Sequence, residues 1–141
     1  MENYIHRVNY YETDKMGITH HSNYIRWMEE ARIHFFEQIG LSYKYLESEE
    51  VFSPVVGVEC SYKSPTTFGD DVEIKVEIKE FKGITLLLNY TMIKKESNEI
   101  VSTGMSKHCF ADKSGKPIIL KKVFPEIDAK LKSVSACKTS L

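Results

Sequence analysis

Arginine is scarce here: of nineteen cations only Arg7, Arg26 and Arg32 are arginine, and twenty acids bring the formal net charge to −1. No basic field draws in nucleic acid, and little of the bidentate side chain used for base readout is available. Cysteine is as sparse. Cys60, Cys109 and Cys137 are odd in number, far apart and form no C-x-x-C pair. That excludes a disulfide framework and a zinc knuckle, and leaves free thiols suited to a reducing cytoplasm. The glycines are scattered, with neither G-x-G-x-x-G nor G-x-x-x-x-G-K-[ST], so no nucleotide cofactor is expected. No apolar run approaches the ~20 residues that cross a bilayer. Met1-Glu2-Asn3-Tyr4 does not open a signal peptide. The expectation is a single cytoplasmic domain over residues 1–141, with a core at about 4–120 and a tail or helix at 121–141.

What is present is strong periodicity. Residues 5–10 read as a short strand. Tyr24, Trp27, Met28, Ala31, Phe35 and Ile39 recur at helical spacing and predict a helix over 22–39. Ser22 and Asn23 are suited to cap its start, and Gly40 to end it. The polar stretch 42–50 holds room for one more short helix. From Val51 the period changes to two. Residues 55–63 read as a strand ending at Ser64-Pro65. Val72, Ile74, Val76 and Ile78 alternate with charged residues, as on a half-exposed strand. Residues 84–93 and 100–111 read as two more strands, and short turns make all of these antiparallel. A terminal helix is expected over 124–134, beginning at Pro125. One long helix followed by an antiparallel meander predicts an α+β fold, the helix stripe buried across the sheet. A single sheet layer leaves open edges, which pairing in an oligomer would satisfy.

The chemistry concentrates between Tyr11 and Tyr24. Asp14 lies shortly before the helix start, where unpaired amides and a partial positive charge can hold a developing oxyanion. A turn aspartate also has a plain role, capping nearby amides, and spacing leaves both readings open. His20 and His21 are adjacent and diverge. With no third ligand at metal-binding spacing from His6, His34 or His108, no metal is expected. Ser22, His21 and Asp14 do not sit in a G-x-S-x-G elbow. Cys60 and Cys109 fall inside strands, where an inert thiol is the common outcome.

These residues carry a resemblance. Tyr11 to Gly17, then His21-Ser22-Asn23-Tyr24, with Trp27 and Ala31-Arg32, resemble the hotdog-fold acyl-CoA thioesterases of the 4-hydroxybenzoyl-CoA thioesterase type. Glu59 to Pro65, followed by Gly69-Asp70, fits the same family, and the likeness spans about residues 4–120. It implies a long central helix wrapped by a curved antiparallel sheet. It also implies subunits paired through their sheets as dimers or dimers of dimers, a homotetramer, with sites at the interface. Asp14 takes the place of the catalytic carboxylate, as nucleophile or general base. The backbone N–H near His21 takes that of the oxyanion donor. Gly17, Ser22, Asn23, Tyr24, Trp27, Met28 and Val58 are implied to meet the substrate, and Lys82, Lys121 and Lys122 the phosphates of coenzyme A. The implied partner is an acyl-CoA substrate, with neither cofactor nor metal. The alternatives are an acyl-carrier-protein thioesterase and a non-catalytic acyl-CoA-binding module.

Overall fold

The computed structural model describes residues 1–137. After a strand β1 (Tyr4–Arg7) and a 3-10 turn (Tyr10–Glu12) comes the long helix α1 (Ser22–Gln38). A short helix α2 (Tyr43–Ser48) leads into strands β2 (Val55–Tyr62), β3 (Asp71–Phe81), β4 (Thr85–Lys94) and β5 (Glu99–Cys109). Helices α3 (Leu120–Val123) and α4 (Pro125–Cys137) close the described chain. The expected elements are present within a few residues, while α3 and the 3-10 turn carry no periodic signal. The remaining residues of the expected tail, 138–141, and the side chain of Cys137 lie outside the described residues.

All five strands pair antiparallel in the order β1-β3-β4-β5-β2. The expected simple meander is therefore corrected: only β3-β4-β5 run as consecutive hairpins. Left-handed Gly83 and Asn98 (φ 90° and 60°) turn these two hairpins tightly. The connection 63–70 is too long for such a turn. It carries the chain past the start of α1, so β2 occupies the free edge of β5 and β1 that of β3.

The core forms where the α1 stripe meets the sheet. Tyr24, Trp27, Met28, Ala31, Phe35, Phe36 and Ile39 are buried against Ile74, Ile78, Leu86, Leu88 and Met92. Each large apolar side chain so buried contributes roughly 1.5–3 kcal/mol. α1 comes close to β5 because Gly104 has no side chain: a Cβ there would lie 3.0 Å from Met28 Sδ and 3.0 Å from Glu59 O. Ile127 and Leu131 of α4 are also buried, so the expected tail contributes to the core. Among the described residues no helix is long and apolar enough to cross a membrane.

A polar chain runs through this core. The Arg32 guanidinium donates to Tyr43 Oη (2.9 Å) and Tyr90 Oη (3.0 Å). Tyr90 Oη meets Ser106 Oγ at 2.6 Å, Ser106 Oγ meets His108 Nε2 at 2.8 Å, and His108 Nδ1 meets Ser53 O at 3.1 Å. Arginine only donates and a carbonyl only accepts, so every proton is assigned: Nδ1 carries hydrogen and Nε2 accepts. Burial first, and then the Arg32 cation, hold the His108 pKa down at about 4.

A histidine depressed in the folded state costs stability as the unfolded chain takes up protons. His108 should therefore leave stability intact above its ordinary value of 6.5 and erode it as pH falls toward 4. The loss is on the order of 3 kcal/mol. Urea titrations of wild type and His108→Asn should show a shallower decline for the variant across that window; parallel curves would contradict the assignment.

Candidate active site at the amino end of the long helix

Residues 13–19 form a small closed loop. Thr13 bridges Thr19, Asp14 N donates to Ile18 O (2.9 Å) and Gly17 N to Asp14 O (3.0 Å). Gly17 sits at φ 78°, where other residues are strained. Asp14 Oδ1 accepts Met16 N at 2.8 Å, the Asx-turn contact. Its side chain is exposed in the single chain, and among the described residues Oδ2 has no partner. The turn role and an available carboxylate oxygen thus coexist in one residue.

The helix start departs from the expected capping. His21 occupies the cap position with helical backbone angles and makes no side-chain cap. Instead His20 Nδ1 accepts Ser22 N (3.2 Å) and meets Ser22 Oγ (2.9 Å). Asn23 turns back, its Nδ2 donating to Glu12 O (3.0 Å) and His20 O (3.2 Å). Asn23 N donates to His20 O (3.0 Å) and Tyr24 N to His21 O (3.3 Å), so with Ser22 N the first amides of α1 are occupied. The His21 N–H finds no acceptor among the described residues, which leaves one amide unpaired at the positive end of a seventeen-residue helix.

What fixes the loop to the helix is Glu12. It is buried, and its Oε1 accepts Asn9 N (2.8 Å) and meets His6 Nε2 (2.8 Å), while its Oε2 accepts Trp27 Nε1 (2.7 Å). Burial alone would raise its pKa. The Asn9 amide, His6 and Trp27 outweigh that and hold the carboxyl below its usual value. Its own carbonyl accepts His20 N at 2.8 Å. Sequence reasoning missed Glu12, because a buried acid in a turn reads like any surface polar residue.

The other expected site residues separate into groups. Trp27 and Met28 are 0% and 1% exposed, so neither lines a slot open to substrate in this chain. Their place on the helical stripe puts them against the sheet, and Trp27 is committed to Glu12. Tyr24 is buried as well, its hydroxyl 3.0 Å from Thr66 Oγ1, and it forms the inner wall of a cleft of about 390 Å³. His21, Thr19, Ile18, Tyr62 and Lys63 also face that cleft. Tyr62 Oη donates to His21 O at 3.1 Å. Tyr62 and Lys63 were not anticipated, nor was the exposed pair Tyr10 and Phe68, edge to face at 5.6 Å. Phe68 within the polar Thr67–Asp70 turn was the available signal.

Lys82, Lys121 and Lys122 are not brought to this place. Asp71 pairs with Arg7 near the loop, whereas Lys82 follows Phe81 at the far end of the eleven-residue β3. That separation is roughly 35 Å at a strand's rise per residue. Lys82 pairs with Glu80 at 3.0 Å, and α3, which holds Lys121 and Lys122, begins where Leu120 N donates to Gly83 O. Clustering with the β3–β4 turn explains their position; the site does not.

Val58 lies on β2 opposite Ser106. None of the eight residues of β2 is buried, and Val55, Val56, Val58 and Tyr62 are 49%, 56%, 45% and 48% exposed. No group of three metal-ligating side chains converges among the described residues.

A family model, the thioesterase-like superfamily, matches residues 8–133. The chain belongs to this superfamily. The family match takes in the Asp14 loop, α1 and all four strands β2 to β5. The chain is 37% identical over 120 residues to YneP of Bacillus subtilis, provisionally named an acyl-CoA thioesterase, covering 84% of this chain and 86% of that one. Its structure is similar to the DHNA-CoA thioesterase of Staphylococcus aureus at a TM-score of 0.92 and 26% identity, covering 99% and 93% of the two chains. It is also similar to the gentisyl-coenzyme A thioesterase BH1999 at a TM-score of 0.78 and 29% identity, covering 86% and 98%. The hotdog arrangement of one long helix against a curved antiparallel sheet is thereby established for this member of the family.

Glu12→Gln tests the clamp. An amide offers one acceptor oxygen where the carboxylate serves several donors, so the variant should lose about 2 kcal/mol. A urea midpoint lowered at unchanged slope would show it; an unmoved midpoint would remove Glu12 from its clamping role.

Proposed function

We propose that the protein hydrolyses acyl-CoA thioesters to a carboxylic acid and free coenzyme A. The observation that carries this reading is an unengaged Asp14 oxygen in the loop that leads into α1, together with an unpaired amide at the start of that helix, in a chain of the thioesterase-like superfamily. The His21 N–H binds the thioester carbonyl oxygen and stabilises the negative charge that develops there. Asp14 either attacks the carbonyl carbon or takes a proton from the attacking water. In both routes the carbon–sulfur bond breaks and its electron pair leaves on the coenzyme thiolate. A thiol of pKa near ~8.5 is a good leaving group, so no separate strong acid is needed. Lys63 at the cleft and Lys15 beside Asp14 are better placed for coenzyme phosphates than Lys82, Lys121 and Lys122. Aromatic acyl groups head the substrates to be compared, since two structural neighbours are named for them.

The active unit is a dimer. β2 presents an open backbone edge and four exposed apolar side chains while burying none of its residues. Pairing with a second β2 removes that edge and covers Val58. A dimer of dimers is the larger assembly.

Asp14→Asn should lower kcat at least ~100-fold at unchanged thermal midpoint, as loss of a catalytic carboxylate does. Full turnover in the variant on the best substrate would remove Asp14 from the chemistry, and faster turnover of carrier-bound than CoA-bound acyl groups would change the partner. Wild type should sediment as a dimer or larger at micromolar concentration. Val58→Asp, which places a charge on the apolar edge, should sediment as a monomer. A monomeric wild type would overturn the shared edge.

A further inference from the structure

By its hydrogen bonds α1 is entered at His20. The His20 carbonyl accepts Asn23 N (3.0 Å), and His21, with φ −56° and ψ −29°, already has helical angles. His20 thus stands where a helix is ordinarily capped by Ser, Thr, Asp or Asn. Its imidazole takes that role: Nδ1 lies 3.2 Å from Ser22 N and 2.9 Å from Ser22 Oγ. An amide N–H only donates, so Nδ1 accepts, the ring hydrogen is on Nε2 and the imidazole is neutral. A histidine is an unusual cap, because a proton can abolish it.

The same residue owns half of the peptide unit that ends in the proposed oxyanion donor. A peptide unit is planar, so the direction of the His21 N–H follows from that of the His20 C=O. That carbonyl accepts both Asn23 N and Asn23 Nδ2 (3.2 Å), and His20 N donates to Glu12 O at 2.8 Å. The plane is held at its oxygen and at the amide before it. The turn into which it feeds is held by the cap on Ser22 N.

The titratable group against the His20 ring is His21, stacked at 4.3 Å with 29° between the planes. Beyond His21 stand Tyr62 of β2, edge-on at 6.2 Å, and Lys63 at the cleft. In the preceding loop Asp14 Oδ1 is taken by Met16 N, and the Glu12 carboxylate is spent on Asn9, His6 and Trp27. The histidine ion pairs among the described residues are those of His6, so no carboxylate pairs with His20 or His21.

We infer that His20 is a positioning residue for the hydrolysis: its neutral imidazole caps the first turn of α1 and so aims the His21 N–H at the thioester oxygen, and its protonation withdraws that aim. A proton on Nδ1 sets donor against donor at Ser22 N and adds positive charge where the helix end is already positive. Histidine ordinarily makes this change near neutrality, so turnover falls on the acid side through the misaimed amide as well as through Asp14. The chemistry rests on the thioesterase reading; the cap does not.

His20→Phe keeps a flat ring against His21 and removes the acceptor, while His20→Asn supplies another. Losing an oxyanion donor outright costs roughly 10²–10³ in kcat. Misaiming it in His20→Phe should lower kcat for benzoyl-CoA at least ~5-fold with KM changed less than about 2-fold, and His20→Asn should recover most of that loss. Over about pH 5 to 8 the acid limb of kcat should move down by at least about one pH unit in His20→Asn and stay in place in His21→Gln. Equal losses in the Phe and Asn variants, a loss confined to KM, or a limb that follows His21→Gln overturns the inference. Deuterium exchange at the Ser22 amide reads the cap without turnover: His20→Phe should exchange at least ~5-fold faster than wild type and His20→Asn. Unchanged exchange in His20→Phe also overturns it. A wild type that hydrolyses no acyl-CoA while its Ser22 amide is protected sinks the thioesterase reading, and the positioning role with it, but leaves the cap standing.

Discussion

A buried carboxylate organises the amino-terminal half of this molecule. Glu12 takes a hydrogen bond from the backbone of Asn9, another from the indole of Trp27, and meets the imidazole of His6. Those partners belong to the segment after β1, the second turn of α1 and β1 itself. A buried charge left without donors costs several kcal/mol, so these pieces must come together or the carboxylate returns to water. The loop that carries Asp14 leaves directly from Glu12, and its return strand is tied to the Glu12 carbonyl through His20 N. The position of Asp14 relative to the helix start is thus set two residues away, by a side chain that has no need to touch substrate.

The clamp also gives Trp27 its place. A tryptophan in an apolar stripe invites the idea of a substrate wall, yet its indole N–H needs an acceptor once buried. Glu12 supplies it, and His6 lies against the indole with ring centres 4.6 Å apart. His6 Nδ1 in turn meets Glu30 Oε2 at 3.2 Å, and Tyr4 Oη donates to the same oxygen at 2.7 Å. The network therefore continues outward along one face of α1 and joins β1 to the helix by polar contacts as well as packing. Double-sided anchoring of this kind suits a short strand of four residues, which has little ladder of its own.

Much of this was legible in the residues and some was not, for physical reasons. Alternation in β3 and the 3.6 period in α1 are local consequences of one buried face, so Val72, Ile74, Val76 and Ile78 fall inward as expected. Turn residues report on neighbours a few positions away, which is why both hairpins read correctly. The partner of β2 is another matter: Tyr62 pairs with Ser102, forty residues on, and no short-range signal encodes that choice. Capping failed because Ser22 is a good cap in general, whereas here the preceding His20 imidazole takes its amide. Lys82, Lys121 and Lys122 gather at one place as a basic group, but their sequence does not say at which end of the sheet they gather. The Asp14 loop, by contrast, combines a turn, a glycine and a helix start within one short stretch, and such local geometry is what sequence records well.

The two buried polar networks stand at opposite ends of β2. Glu12 fixes the end near Tyr62, and the chain from Arg32 to Ser53 O fixes the end near Val55. Hydrogen bonds assigned in one direction resist small shifts better than apolar packing does, because each donor has a single acceptor to satisfy. No residue of the strand between them is fully buried, so its edge is free to meet a second copy without disturbing either network. Neither clamp needs to move for the edge to pair.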